Sequence, residues 1–459
     1  MDGQTVSHEK FRFNVNSCVS GPAMALATVF ALTPLTTHAM QAQTFSVLHY
    51  FSGGGDGANP YAGITVGGSG VLYGTATRGG SSGYYGAVFK LSQVNSSWVF
   101  SPLHEFTGGS DGGNPLGGVV IGPNGALYGT TQNGGESLGT VFELRPPLTV
   151  CKAILCYWNE TVLYSFMGLP DGEHPGYENL TFDSSGDIYG TTYEGGTNDE
   201  GTAFELTPSG GGYTESILHN FGSGTDGEEP YAGVVLDTAG NVYGTTYGGG
   251  TGTECGGGCG TVYQLMPSNG GWLENVLVNF DVANGFYPIG GLIIDDSGNL
   301  YATTFGGGQN DGGGVVYKLA PSGGGFTYSA LYTFSSRSPC GSAGSVAMDA
   351  AGDLFGVCYE GGAQAEGWIF ELTNCSPQGC SVVDLHDFSG SDGAYPYGGP
   401  VLDANGNLYG TASGGGIVNP SSCVGLDDSC GVVWEIAGVG AQYQNPIDAN
   451  ALANRRRRK

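Results

Sequence analysis

The sequence predicts an all-β fold, a seven-bladed β-propeller of four-stranded antiparallel blades, closed by its N-terminal strand. One aromatic motif recurs seven times along the 459 residues. Each recurrence sits in a unit of four short apolar runs separated by Gly, Asn and Asp turns, the pattern of an antiparallel meander. The motif of the outermost strand occurs once before the first complete unit and does not follow the last one.

The recurring motif is Leu72-Tyr73-Gly74-Thr75, with counterparts at Tyr128, Tyr189, Tyr243, Tyr301, Phe355 and Tyr409. Its copies lie 54 to 61 residues apart, in the range of propeller blades and well above leucine-rich or ankyrin repeats. In the fourth unit the four runs are 232–237, 241–246, 260–265 and 273–280. First runs open on Gly63, Gly118, Gly233, Gly291 and Gly399, as strands crowded around an axis require. Tight hairpins follow at Asp183, Asp237, Asp295, Asp349 and Asp403; Gly supplies the positive φ and Asp caps the turn's own amides. Third runs such as Val88-Phe89-Lys90-Leu91 and Val433-Trp434-Glu435-Ile436 alternate apolar residues with Lys or Glu, as half-buried strands do. Leu48-His49-Tyr50-Phe51 carries the outer-strand motif ahead of the first unit. Residues 45–51 are therefore expected to complete the seventh blade, removing the edges that an open array leaves exposed.

Composition agrees. The 88 Gly and 21 Pro exclude long helices, while 39% hydrophobic content with 26 Tyr and 21 Phe can fill a core. A net charge of −28 excludes a nucleic-acid-binding face, which needs basic residues. Residues 1–42 read as a cleavable secretory signal, with Lys10 and Arg12 ahead of an apolar stretch and small-residue sites ending at Ala39 or Ala42. No segment has the length of a membrane span. Residues 43–440 form the propeller, and 441–459 a disordered polar tail ending in Arg455 to Lys459. Cysteines of an exported chain are expected to pair: Cys151 with Cys156, Cys255 with Cys259, Cys375 with Cys380, Cys423 with Cys430, and Cys340 with Cys358. None of the close pairs has the two-residue spacing of common zinc motifs and no His accompanies them, so no metal and no cofactor are expected.

The run Asp-Gly-x-x-Pro-Tyr-x-Gly, then Leu-Tyr-Gly-Thr-Thr, Gly-Gly and Gly-Thr-Val-Phe-x-Leu resembles the GloVer tandem repeat of bacterial secreted or surface-anchored proteins, over residues 45–436. The Asp-x-x-Gly-Asn-x-Tyr core is also similar to NHL-type blades. The GloVer resemblance implies export and a propeller-like fold, and transfers no catalytic residues. Family members often end in a sorting anchor; here residues 437–454 are polar and no membrane-length segment precedes the basic tail.

Candidate chemistry lies in the loop before each first strand, Asp56 to Pro60 and its copies at 111–115, 171–175, 226–230, 284–288 and 392–396, with Cys340 and Gly344 in the sixth unit. These loops and the Gly-Gly loops leave on one face. Asp and Pro there set the turn, or Asp56, Asp111, Asp171, Asp226 and Asp392 join Tyr61, Tyr231 and Tyr397 as a ligand face. Carboxylates accept sugar hydroxyls, and Tyr rings offer apolar faces to pyranoses. His49, His104, His219 and His386 share a position filled elsewhere by Tyr164, Val278 and Tyr332, and so read as outer-strand side chains. His174, beside Glu173, lies in a candidate loop. Inserts at 145–160 and 414–431 are further places for specificity. Asp403-x-Asn405-x-Asn407 lacks the sixth-position Gly and distal Glu of a calcium loop and reads as a hairpin. No catalytic motif occurs.

The sequence thus describes an exported, monomeric, non-enzymatic binding or scaffolding protein. Its expected partner is an extracellular glycan or surface protein, with carbohydrate leading. The alternative is an exported polysaccharide lyase or hydrolase on the same scaffold.

Overall fold

Successive residues of a strand point to opposite faces, and the third strands use both. Phe89 and Leu91 pack toward the seventh blade, whereas Val88 packs toward the second. A blade built this way is finished only by its neighbours. The computed structural model describes residues 43–439 apart from 82–83, 136–137, 149–155, 178, 223, 310–311, 336–338, 343, 377–378, 417–422 and 424–428. The expected leader and tail lie outside the described residues.

Blade one consists of Thr65–Val66, Leu72–Ala76, Ala87–Val94 and Ser97–Glu105. Five blades repeat that order, ending on outer strands Asn159–Ser165, Gly212–Asn220, Gly271–Asn279, Gly325–Thr333 and Gly379–Asp387. The seventh contains Val401–Leu402, Leu408–Ala412 and Val432–Ala437, and its outer strand is Thr44–Tyr50, paired antiparallel with Val432–Ala437. Seven hydrophobic clusters each join two adjacent blades, and the cluster of Phe51, Tyr409, Val433, Phe89 and Leu91 joins the last to the first. Among the described residues no helix is long and apolar enough to cross a membrane.

Innermost strands are shorter than the sequence suggests. Only Val235–Leu236 of the run 232–237 pairs with the next strand, because the residues before it serve the axis. There the backbones of neighbouring blades touch: a methyl on Gly63 would run into Gly399, one on Gly290 into Gly344, and one on Gly398 into Gly63. Motif threonines tie the same ring together. Thr75 Oγ1 donates to Gly117 O (2.9 Å), Thr191 to Ala232 O (2.7 Å) and, across the closure, Thr411 to Ala62 O (2.7 Å). The motif glycine has a different cause. The third-strand aromatic ring lies over it, so a Cβ on Gly74, Gly129 or Gly190 would strike Phe89, Phe142 or Phe204.

The hairpin aspartates act as expected. Asp237 Oδ1 accepts from the amides of Ala239 and Asn241 (2.8 and 3.0 Å), and its Oδ2 from Tyr243 OH (3.0 Å). One regular feature departs from the sequence reading: the pairing of third and outer strands slips by one residue in all seven blades. The extra residue is Leu48, Leu103, Leu163, Leu218, Leu277, Leu331 or Leu385, a bulge that increases local twist. Disulfides join Cys255 to Cys259, Cys340 to Cys358, Cys375 to Cys380 and Cys423 to Cys430. Cys156 is also disulfide-bonded, while Cys151 lies outside the described residues.

Between blades, one outer-strand position varies in character. Phe45 stacks on His386 and Phe100 on His49, with ring centroids 3.5 and 4.2 Å apart. Blades two to four place Glu160, Glu215 and Glu274 there instead, each with a buried carboxyl oxygen lacking a hydrogen-bond partner. Burial, then the adjacent loop aspartate, pushes Glu160 and Glu215 up to about 7. Glu371 reaches about 7 through burial and the charges of Asp353 and Asp349.

Three outcomes are expected. Deleting residues 43–52 should abolish cooperative melting or cause aggregation; a monomeric variant that melts like the parent contradicts the closure. Tyr317 has a buried hydroxyl without a partner where blades one to three carry Phe89, Phe142 and Phe204. Tyr317→Phe should therefore raise stability by about 1 kcal/mol in denaturant unfolding. The raised glutamates set a pH dependence. Unfolded, each ionises near 4.5; folded, each holds its proton to about 7, so stability falls as pH rises from about 5 to about 8. Depressed groups such as Asp295 act in the opposite sense, at pH below 3.8. The melting temperature should drop across the upper window, and Glu371→Gln should shrink the drop.

Candidate ligand-binding site

The five loop aspartates brace their own loops. Asp56 accepts from Ser52 N and Ser52 Oγ (2.9 and 2.6 Å) and pairs with His49 (3.3 Å). Asp111 accepts from Thr107 N (2.9 Å) and faces His104 (3.5 Å). Asp171 accepts from Met167 N, Gly172 N and Tyr164 OH (3.0, 2.8 and 3.0 Å). Asp226 accepts from Gly222 N and Gly227 N and pairs with His219 (3.2 Å); Asp392 holds Ser389 and His386. Each carboxylate thus locks its own loop to the preceding outer strand. Burial works to raise Asp56, but the hydrogen bonds from His49 and Ser52 outweigh it and hold the carboxyl below its usual value. The repeat-position histidines are outer-strand residues, as the sequence indicates, and these aspartates are their partners.

What the clamp positions is the residue ahead of each loop proline. Asn59, Asn114, His174, Glu229, Tyr287 and Tyr395 all take φ of 53° to 56°, although residues before proline ordinarily prefer extended backbone. Hydrogen bonds hold them there. Their amides donate to the preceding blade, Glu229 N to Glu200 O (2.9 Å) and Tyr287 N to Cys259 O (2.9 Å), for example. Their carbonyls accept from the residue after the second strand, as in Tyr247 N to Glu229 O and Phe305 N to Tyr287 O (both 3.0 Å). Cys340 fills this place in blade six, its amide on Gly313 O (2.9 Å). The backbone is the same in every blade while the side chains differ, which is how a scaffold presents specificity.

Tyr61, Tyr231 and Tyr397 lie on this face and are brought together, in company the sequence did not indicate. Tyr61 meets Tyr397 (5.7 Å between centroids), Tyr397 meets Tyr177 (5.7 Å), and Tyr177 meets Tyr231 (5.3 Å). Tyr177 belongs to blade three and Tyr397 to blade seven, so their contact spans the mouth of the axis. Tyr193 stacks on Tyr231 at 5.1 Å and 10°, and Tyr247 on Tyr287 at 4.4 Å and 16°. Tyr359 extends the array to Tyr395 and Tyr397. All nine rings are half-buried, each leaving part of its surface in solvent. Tyr177 stands two residues after its proline, not one. Tyr193, Tyr247 and Tyr359 occupy the position after the second-strand motif, a signal present in the sequence once that position is known to face the mouth.

Around blades three and four the platform is acidic. His174 Nδ1 lies 2.9 Å from Glu194 Oε2, and its ring stacks on Tyr193. Burial, then Glu200 and Glu194, holds Glu229 above the ordinary glutamate value. Glu228 is raised by burial, then Glu200 and Glu229. Burial also pushes Tyr177 up to about 12.

A divalent cation could be held elsewhere. One ligand atom each from His219, Asp226 and Glu274 lie within 4.8 Å of one another, at the boundary of blades three and four, though both Asp226 oxygens already accept loop amides. The insert 145–160 lies between the third and outer strands of blade two, with 149–155 outside the described residues; Trp158 N donates to Leu103 O (2.7 Å) and its ring packs on Tyr73. The insert 414–431 leaves on the tyrosine face, with most of it outside the described residues.

The model of the Gloeobacter/Verrucomicrobia repeat matches residues 17–256, 156–338 and 252–433. No curated protein matches the chain. Among solved structures the chain is similar to a luciferin-regenerating enzyme, at 12% identity and a TM-score of 0.41, with 88% of this chain and 99% of that one covered. It is also similar to a protein described as an oxidoreductase (glucose dehydrogenase) from Thermus thermophilus, at 15% identity and a TM-score of 0.44, covering 86% and 99%. The three repeat matches overlap into one stretch over nearly the whole chain, and the chain belongs to the Gloeobacter/Verrucomicrobia repeat family.

Proposed function

We propose that the protein is an exported binding module that holds a carbohydrate on the tyrosine platform at the mouth of its axis. The observation that carries this reading is the convergence of Tyr61, Tyr177, Tyr231 and Tyr397 from four blades onto one another. Half-exposed aromatic rings suit the apolar faces of pyranose rings, and phenol hydroxyls can exchange hydrogen bonds with sugar hydroxyls. Export is supported by the leader-like first 42 residues and by disulfides that an oxidising compartment maintains. Beside the loop aspartates, Glu194 and Glu229, whose charges act on Tyr193, can also accept sugar hydroxyls.

A second reading has one observation in its favour: the His174–Glu194 pair beside Tyr193 has the reach of an acid–base couple. It makes the module a polysaccharide lyase or hydrolase.

A glycan array of the mature chain, followed by titration calorimetry on the best binder, separates the two. Tyr61→Ala, Tyr231→Ala and Tyr397→Ala are each expected to weaken binding about tenfold, the scale of a lost aromatic contact, with melting unchanged. Undiminished binding in all three rejects the platform. Turnover of the glycan that disappears in His174→Ala installs the enzyme reading in its place.

A further inference from the structure

The clamp between outer strand and loop needs two partners, and at the boundary of blades three and four a third stands beside them. Where His49 and His386 form the clamp, each pairs with its aspartate, Asp56 or Asp392, and a phenylalanine, Phe100 or Phe45, stacks on the imidazole. Register places Glu274 at the position of Phe100: Glu274 lies opposite Leu265 as Phe100 lies opposite Leu91. His219, Asp226 and Glu274 thus come from three segments, the outer strand of blade three, the loop that follows it and the outer strand of blade four. One donor atom of each lies within 4.8 Å of the other two, and among the described residues this is the one set of three such donors that converges.

Nothing in the fold requires the glutamate. Phe45, Phe100, Tyr328 and Val382 fill the same register position in other blades. Glu274 instead buries Oε1 without a hydrogen-bond partner, which costs free energy unless something satisfies that oxygen. A cation would satisfy it. His219 Nε2 lies 3.3 and 3.2 Å from Asp226 Oδ1 and Oδ2, matching the edge of about 3.3 Å in a tetrahedron with metal–ligand bonds of about 2.0 Å. Asp226 accepts one amide on each oxygen, from Gly227 and Gly222. Each oxygen keeps a second lone pair, and ligating carboxylates ordinarily carry such outer hydrogen bonds, which fix their direction. The His219 and Asp226 side chains are 21% and 25% exposed, so an ion can reach them from solvent.

We infer that His219, Asp226 and Glu274 form a zinc site that joins blades three and four at the loop leading to Tyr231. An imidazole nitrogen with two carboxylates suits a borderline cation, and three protein ligands with a fourth position left to water is a zinc arrangement. Calcium takes six to eight oxygens and gains nothing from the imidazole. The ion ties the loop to both outer strands, adding coordinate bonds to a clamp that elsewhere consists of hydrogen bonds alone.

The test is calorimetric titration of the full chain, free of any affinity tag and stripped with chelator, with zinc chloride and with calcium chloride. Two variants borrow residues that the scaffold already uses at these positions. Glu274→Phe copies Phe100, and His219→Tyr copies Tyr164, whose hydroxyl keeps the clamp by donating to Asp171 (3.0 Å). The parent is expected to bind a zinc equivalent that raises its melting temperature, and each variant to weaken that equivalent about a hundredfold or more, since loss of a mere supporting residue costs about 10- to 100-fold. Without zinc, Glu274→Phe should melt at or above the parent, which separates loss of a ligand from loss of the fold. X-ray absorption at the zinc edge should show nitrogen and oxygen neighbours. A parent that takes up no zinc overturns the inference. So does an equivalent that persists undiminished in both variants, a sulfur neighbour at the ion, or calcium binding that displaces zinc at equal concentration.

Discussion

Everything in this molecule depends on one pairing, between Thr44–Tyr50 at the start of the propeller and Val432–Ala437 at its end. Each hydrophobic cluster is shared between two blades, so no blade can bury its faces alone, and seven clusters require seven neighbours. Repeat arrays usually need capping units to protect their ends; a ring has no ends. Closure then dictates the centre. Inner strands converge on a crowded axis, and Gly63, Gly344 and Gly399 stand where a Cβ would collide with a neighbouring blade. The first side chains with space to project beyond that collar include Tyr61, Tyr177, Tyr231 and Tyr397. The aromatic platform is therefore a consequence of the ring's geometry as much as a feature added to it.

The repeat period, the four-strand unit, the hairpin aspartates and the displaced outer strand are all legible in the sequence because each is set by residues close together in the chain. Asp237 caps amides two and four positions away. A signal of similar range is present but gains its meaning only from the structure: the loop aspartate follows the outer-strand histidine by seven residues at His49 and Asp56, His104 and Asp111, and His219 and Asp226. That spacing marks a clamp between strand end and loop, and it explains why the aspartates recur when ligand contacts need not. Inner strands come out shorter than their apolar runs for the opposite reason. An apolar run shows that residues are buried, not whether a ladder or the axis buries them.

Features that arise between blades are harder to find. The leucine bulge repeats in all seven units, yet alternation alone does not distinguish a bulged strand from a regular one. Tyr177 and Tyr397 are far apart along the chain, in blades three and seven, and meet only because the ring brings them face to face. The left-handed residues before proline run against local preference, which is overcome by two backbone hydrogen bonds to other segments. Asn, His, Glu and Tyr alternate at that place while its flanks hardly change, and this contrast is visible in the sequence. Its meaning depends on knowing that the position faces the mouth.

Blade six shows how the scaffold and its variable surface are kept separate. It lacks the loop aspartate, and the Cys340–Cys358 disulfide joins its loop to the end of its second strand. A covalent link takes over a part played elsewhere by carboxylate hydrogen bonds, while the Cys340 amide keeps the bond to the preceding blade that its counterparts make. The ladder around the mouth is therefore kept even where the chemistry supporting it is exchanged. Because backbone hydrogen bonds fix that ladder on both sides, little backbone freedom remains to be lost on binding. Selectivity must then come from which side chains the blades present. Blades three and four present tyrosine and glutamate without a single lysine or arginine, and it is this asymmetry, not the repeated aspartate, that distinguishes one part of the ring from another.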